Sequence, residues 1–219
     1  LPVALLPGCG DATRAAIRAL VPIAAGLSSE ARLFEHQAEC LKISMNPSLD
    51  ENLVITSGTG SGKTEAFLLP LLAKIVREAT SDIDPWPNIT NRDVQSDNWW
   101  NRDPKKFGCP RNDRSKLNGE TRRVGMRGLI LYPMNALVED QMRRLRLALD
   151  SEQARTWRED FLGNNRIYFG QYNGSTPIAG HPKKWGKRSP IENPGKKDRL
   201  ADELIDLQRR ATSLKDFAN

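Results

Sequence analysis

An α/β domain with a parallel sheet flanked by helices is predicted by two short apolar runs, Leu53-Val54-Ile55 and Gly128-Leu129-Ile130-Leu131-Tyr132, each leading into a helical pattern. A third observation places the site. Between the first run and its helix stands Ser57-Gly58-Thr59-Gly60-Ser61-Gly62-Lys63-Thr64, so the order is strand, glycine-rich turn, helix. Glycines there bring backbone N–H groups close to phosphate oxygens, and the helix that follows adds the positive end of its dipole. Lys63 is placed to reach the β- and γ-phosphates of a nucleotide, and the Thr64 hydroxyl to ligate its magnesium ion. Ser57 stands where the usual pattern has Gly or Ala, and it is small enough to keep the turn.

At 219 residues the chain is long enough for one sizeable domain with additions. The net charge of +6 suggests an anionic partner besides the nucleotide. Cys9, Cys40 and Cys109 lack the spacing of a zinc site or disulfide framework, which fits a reduced, cytoplasmic setting. No apolar run approaches the roughly 20 residues of a membrane span, and no signal peptide opens the chain, so no membrane partner is expected. The sequence starts at Leu1, not at a methionine, as expected of a piece of a longer protein.

Residues 1–32 read as an N-terminal helical extension, with a helix over Asp11 to Leu20 capped by Asp11 or Thr13. Ser28 to Leu41 has a serine start and apolar residues at Leu33, Phe34, Ala38 and Leu41, an amphipathic pattern upstream of the glycine loop. Gln37 lies on it, with an amide able to donate and accept at the edge of a base, as a solvated glutamine also could. After the loop, Glu65 to Thr80 reads as a helix in which Pro70 should produce a kink or irregular early turns.

From 81 to 127 the periodicity vanishes. These 47 residues form a long polar insertion with ten basic and seven acidic side chains. Its tryptophans, Trp86, Trp99 and Trp100, either pin it to the domain or stack on bases. The run ending at Tyr132-Pro133 leads into a helix over Asn135 to Leu149, with Ala136, Leu137, Met142, Leu145 and Leu149 inward. Arg143, Arg144 and Arg146 lie outside, to meet phosphates or form a solvated face. A short helix capped by Ser151 runs to Leu162, and a third strand, Arg166 to Tyr172, enters a turn at Asn173 to Pro177. A basic loop at 181–199 sets seven basic side chains against two acidic ones, suiting either a nucleic-acid backbone or solvent. Asp198 to Phe217 closes as a helix.

Four of these stretches, in this order, resemble the first motor domain of superfamily 2 helicases over roughly residues 33 to 180. Leu33-Phe34-Glu35-His36-Gln37 resembles the adenine-reading glutamine motif, and Ser57 to Thr64 resembles motif I. Tyr132-Pro133-Met134-Asn135-Ala136-Leu137-Val138-Glu139-Asp140-Gln141 resembles motif Ia in the form found in Lhr-like helicases. Tyr172-Asn173-Gly174-Ser175-Thr176-Pro177 is similar to their Tyr-Asp-Gly-Asp-Thr-Pro motif, with Asn173 and Ser175 replacing both acids. In its Tyr-Pro-Met-Asn-Ala-Leu run the chain also resembles large bacterial helicases of phage-defence islands, the DISARM helicase among them.

The resemblance implies a RecA-like fold over 33–219, an incomplete first helicase domain that binds ATP and magnesium. It implies that Gln37 contacts adenine and that Gly58, Thr59, Gly60, Ser61, Gly62, Lys63, Thr64 and Glu65 cradle the nucleotide, with Lys63 and Thr64 in the catalytic roles. It implies nucleic-acid contacts, DNA favoured over RNA, from Pro133, Met134, Asn135, Ala136, Gln141, Gly174, Ser175 and Thr176. Hydrolysis also needs a carboxylate after a buried strand. Asp50-Glu51, Glu139-Asp140, Glu159-Asp160 and Asp202-Glu203 do not stand in that position, so the chain is expected to bind ATP without turning it over alone. The second motor domain that supplies arginine fingers in such helicases would be a partner lying outside these residues, as would any partner subunits. A kinase-like or transporter-like ATPase would leave Gln37 and the Tyr-Pro-Met-Asn-Ala-Leu run unexplained. A nucleotide-gated nucleic-acid-binding subunit of a larger complex is the alternative from a different class.

Overall fold

Apolar residues at helical spacing in the first 26 residues leave a face that one helix cannot bury by itself, and the rest of the fold is arranged around it. The computed structural model describes residues 6–26, 32–49, 52–56, 58, 60–89, 125–174, 176, 183–185, 190–192 and 194–218. The chain divides into two units, 1–90 with 120–169 and 91–119 with 170–219.

In the first unit, helix α1 (Asp11–Ala25) buries Ala16, Ile17, Leu20 and Ala24. It passes Pro22, which lacks the N–H of one ladder bond, and ends at Gly26 in the left-handed conformation, φ +62°. Neither expected side chain caps it. Gly10 is the N-cap, Asp11 pairs with Arg14 at 3.1 Å, and the buried Thr13 hydroxyl shares a 2.7 Å hydrogen bond with Thr80. Helix α2 (Glu35–Met45) starts at Phe34, six residues after the expected serine. Helix α3 (Lys63–Ala79) continues through Pro70, with Leu68, Leu69, Pro70, Leu72, Ala73 and Val76 all buried. Helices α4 (Asn135–Asp150) and α5 (Glu152–Leu162) follow, the second capped by Ser151, whose Oγ accepts from the Ala154 N–H at 3.2 Å.

Helix α1 packs against α3, α4 and α5, while α2 packs on α3. Trp157 of α5 fixes the arrangement by donating its indole N–H to the Ala16 carbonyl at 2.9 Å, in the buried interior. On α4 the buried residues are Gln141, Met142, Ala148 and Leu149, whereas Ala136 and Leu137 are exposed, so the inward face lies further along the helix than expected. Burial raises the thiols of Cys9 and Cys40 above their ordinary value and keeps them protonated.

The base of the insertion is closed by one carboxylate. Glu78 accepts from the Trp86 indole at 3.1 Å and from Arg127 Nε at 2.9 Å, and the Arg127 guanidinium lies 5.5 Å from the Trp86 ring centroid. Trp86 therefore pins the insertion, while Trp99 and Trp100 lie outside the described residues.

The three expected strands are the main departure. Among the described residues none of them pairs in a sheet, and the only pairing is an antiparallel hairpin in the second unit. Their side chains still alternate. Ile130, Ile167 and Phe169 pack on the helical core, while Val54 is 87% and Leu131 81% exposed. At Gly128 an added Cβ would lie 2.6 Å from Leu71, so this segment sits directly on α3. A parallel sheet is held by neighbouring strands and by cover on both faces. These segments have a helical layer on one face, and the opposite apolar side chains are exposed.

In the second unit, β1 (Lys183–Trp185) and β2 (Pro190–Glu192) pair with Lys184 opposite Ile191, where a loop was expected. Pro190 is tolerated as the first residue of its strand. Helix α6 (Pro194–Ala218) begins before the expected Asp198, with Pro194 in the first-turn position that suits its fixed φ. Among the described residues no helix is long and apolar enough to cross a membrane.

The role of α1 as shared packing surface predicts that Leu20→Ala costs roughly 2–5 kcal/mol of unfolding free energy, read as a lowered denaturant midpoint with an unchanged m-value.

Candidate functional site

The phosphate-loop site is built from the start of α3 outward. Gly62 is the N-cap of α3 at φ +72°, and no side chain caps that end. A helix end of this kind is where first-turn N–H groups can meet an anion. The Gly62 carbonyl accepts from the Ala66 N–H at 3.2 Å and from the Gln37 side-chain amide at 2.9 Å. Gln37 is 5% exposed, and its other amide atom accepts from the Phe34 N–H at 3.0 Å. One side chain thus joins the first turn of α2 to the end of the glycine loop. A Cβ on Gly62 would lie 2.3 Å from Gln37 Nε2, so both the φ and the space demand glycine. Beside Gln37 the exposed Phe34 ring stacks on His36, with centroids 5.9 Å apart and planes at 11°.

Two donors of the loop converge on one acceptor. Lys63 Nζ lies 2.6 Å and Ser61 Oγ 2.8 Å from the Gly58 carbonyl. Around Gly58 and Gly60 an added Cβ would meet nothing within 4 Å, so the loop has open space beside it. A phosphate oxygen can take over from the Gly58 carbonyl as acceptor for both groups, and the open space admits it. The residues present therefore fit a nucleotide phosphate. When bound, such a nucleotide brings a magnesium ion, for which Thr64 is the candidate ligand. Among the described residues no cluster of three or more His, Cys, Asp or Glu could hold a metal ion.

Thr64 is also where the second motif reaches the first. Gln141 of α4 is 8% exposed and its Nε2 lies 3.5 Å from Thr64 Oγ1. Glu65, the next residue on α3, accepts from Arg144 of α4 at 2.5 Å, and Arg144 Nε donates to Asp140 at 2.9 Å. Arg144, expected on the outer face, keeps its side chain 41% exposed while it pairs with the Glu65 carboxylate, whose side chain is 14% exposed. The four-residue spacing of Asp140 and Arg144 was the available signal for half of this cluster.

Pro133, Met134, Asn135 and Ala136 are exposed at the start of α4, whose N-cap, Met134, supplies no side-chain hydrogen bond. Just before them, the Tyr132 phenol is raised above its ordinary value by burial, and Arg144 and Asp140 act on it in opposite directions. Among the described residues its buried oxygen has no hydrogen-bond partner. In the second unit Asn173 and Thr176 close a turn around Gly174: the Asn173 N–H donates to Thr176 Oγ1 at 2.9 Å and the Thr176 N–H to the Asn173 carbonyl at 3.0 Å. Thr59 and Ser175 lie outside the described residues.

A glycine loop at the head of a helix, with a glutamine hydrogen-bonded to its last residue, is the arrangement expected of a nucleotide-binding protein of the helicase kind. The DEAD/DEAH box helicase family model matches residues 34–167, and the chain belongs to that family. That membership carries a RecA-like fold. The chain is also similar to Druantia protein DruE of Escherichia coli (strain UMEA 4076-1), 33% identical over 156 residues, which are 71% of this chain and 6% of that relative. The chain thus spans a small part of the length of the curated relative it matches. No solved structure matches it.

The clash at Gly62 predicts that Gly62→Ala displaces Gln37 and weakens nucleotide affinity by about three- to tenfold, the loss of one neutral hydrogen bond being worth roughly 0.5–1.5 kcal/mol. Titration of a fluorescent ATP analogue against both proteins measures it.

Proposed function

We propose that this chain is the ATP-binding part of the first motor domain of a nucleic-acid helicase or translocase, with DNA as its favoured track. The observation that carries this reading is the Gln37 amide bound to the Gly62 carbonyl, which ties the base-reading motif to the phosphate loop. In this reading Gln37 reads adenine, the backbone from Gly58 to Gly62 with Thr59 and Ser61 cradles phosphates, and Lys63 neutralises the terminal ones. Thr64 holds magnesium and Glu65 steadies the first turn of α3. The exposed start of α4, where no side chain caps the first-turn N–H groups from Asn135 onward, is the surface proposed to meet a nucleic-acid phosphate, and the segment from Gly174 to Thr176 is proposed as a further nucleic-acid contact. Gln141 belongs to this second motif through its contact with Thr64. The protein acts in the cytoplasm, where buried thiols stay reduced.

The second reading is a nucleotide-gated nucleic-acid-binding subunit of a larger complex. In both readings the residues that complete hydrolysis, and the second motor domain, belong to a longer protein, as the span of the Druantia relative also suggests. A role in antiviral defence is supported by the Tyr-Pro-Met-Asn-Ala-Leu run shared with helicases of phage-defence islands.

Two measurements test this. The isolated chain should bind ATP yet release no phosphate above background when DNA is added, and stimulated steady-state turnover would refute the incomplete-site reading. In the full-length protein Lys63→Ala should weaken ATP binding by about 10- to 100-fold while salt-sensitive DNA binding persists. Undiminished ATPase activity in that variant would remove Lys63 from the site.

A further inference from the structure

We propose that Arg144 is a positioning residue that transmits nucleic-acid contact at the start of α4 to the nucleotide at the start of α3; this rests on the reading of the two loops given above. The geometry is specific to that task. Arg144 uses two edges of its guanidinium, Nη1 toward Glu65 on α3 and Nε toward Asp140 on its own helix. A planar fork can hold two carboxylates in a fixed relation, which an ammonium cannot. Glu65 follows Thr64 directly, and Gln141, one turn before Arg144, approaches the Thr64 hydroxyl. Thr64, Glu65, Asp140, Gln141 and Arg144 therefore form a closed set of contacts across the two helices.

The other end of the set reaches the loop. Tyr132 lies within the field of both Arg144 and Asp140, and among the described residues its buried hydroxyl has no hydrogen-bond partner. Tyr132 is bonded to Pro133, the first residue of the exposed loop. A phosphate drawing on Pro133 to Ala136 moves Tyr132 and the first turns of α4. The Arg144 fork then carries that shift to Glu65, and so to Thr64 and Lys63 beside it. Coupling of this kind is reciprocal, so nucleotide binding strengthens the hold on nucleic acid by the same factor.

The experiment uses the full-length protein, a non-hydrolysable fluorescent ATP analogue, and a single-stranded DNA oligonucleotide with the matching RNA as second probe. The ratio of analogue Kd without and with oligonucleotide is the readout. In the wild type the oligonucleotide should tighten the analogue by about tenfold. Arg144→Ala should bring the ratio close to one while the Kd without oligonucleotide moves less than about threefold, and Arg144→Lys should fall between them because it keeps the charge without the fork. Where Arg144→Ala fails to fold, as read by its thermal midpoint, Arg144→Gln takes its place. An unchanged ratio in the variant, or an equal loss of affinity with and without oligonucleotide, overturns the proposal. A wild type that binds both ligands with a ratio of one overturns the coupling alone. A wild type with no Lys63-dependent nucleotide binding overturns the functional reading and the coupling together.

Discussion

The packing of α1 against three other helices is the constraint on which the rest of the first unit depends. Ala16, Ile17 and Leu20 are almost wholly excluded from solvent, and Trp157 donates to a carbonyl in the middle of that helix. A buried indole N–H without its acceptor is costly, so α5 is tied to one register along α1. Because α3 and α4 rest on the same helix, their N-termini share a common reference, and these are the two ends that carry the phosphate loop and the second motif. The family match begins at residue 34, yet α1 lies entirely before it. Helix α1, within the stretch that reads as an N-terminal extension, contributes to the hydrophobic core of the first unit.

Helix positions were legible in the sequence because the 3.6-residue period survives local exceptions. Pro22 and Pro70 each remove one backbone donor, but the apolar faces through Ala24 and Val76 bury enough surface to carry both helices onward. The strands were legible only as a pattern. Ile130 with Leu129 and Leu131, and Phe169 with Tyr168, keep the alternation that a strand requires, since side-chain direction is a local property. Strand pairing is not local, and it depends on neighbours and a covering layer that no single stretch encodes. The basic loop erred the other way. Its charge count hid a hairpin whose partners, Trp185 and Ile191 among them, are ordinary strand formers.

The candidate site was legible in part for a comparable reason. Glycine spacing and the Gly-Lys-Thr ending declare a backbone shape, so the loop could be read before any contact was seen. Gln37 could be singled out by position, but its two hydrogen bonds, to Phe34 and to Gly62, join residues separated by 3 and 25 positions, and the second has no sequence signature. Arg144 was read as surface because a charged residue in a run of arginines usually is. What that reading omits is a carboxylate 79 positions away that the fold brings to 2.5 Å.

The same cluster explains why the motif glutamines are buried. An exposed amide can serve any partner, whereas Gln37 and Gln141 are held between fixed groups, one at each side of the start of α3. Gln37 holds the loop from the side of α2, and Gln141 reaches Thr64 from the side of α4. The phosphate loop is consequently gripped between two helices that do not otherwise share a motif. A displacement of either helix changes the donors that Lys63, Ser61 and Thr64 present. On the proposed reading, the nucleotide site then responds to a contact made one helix away, through a set in which Gln141 and Glu65 are largely shielded from water while Arg144 and Asp140 stay partly exposed.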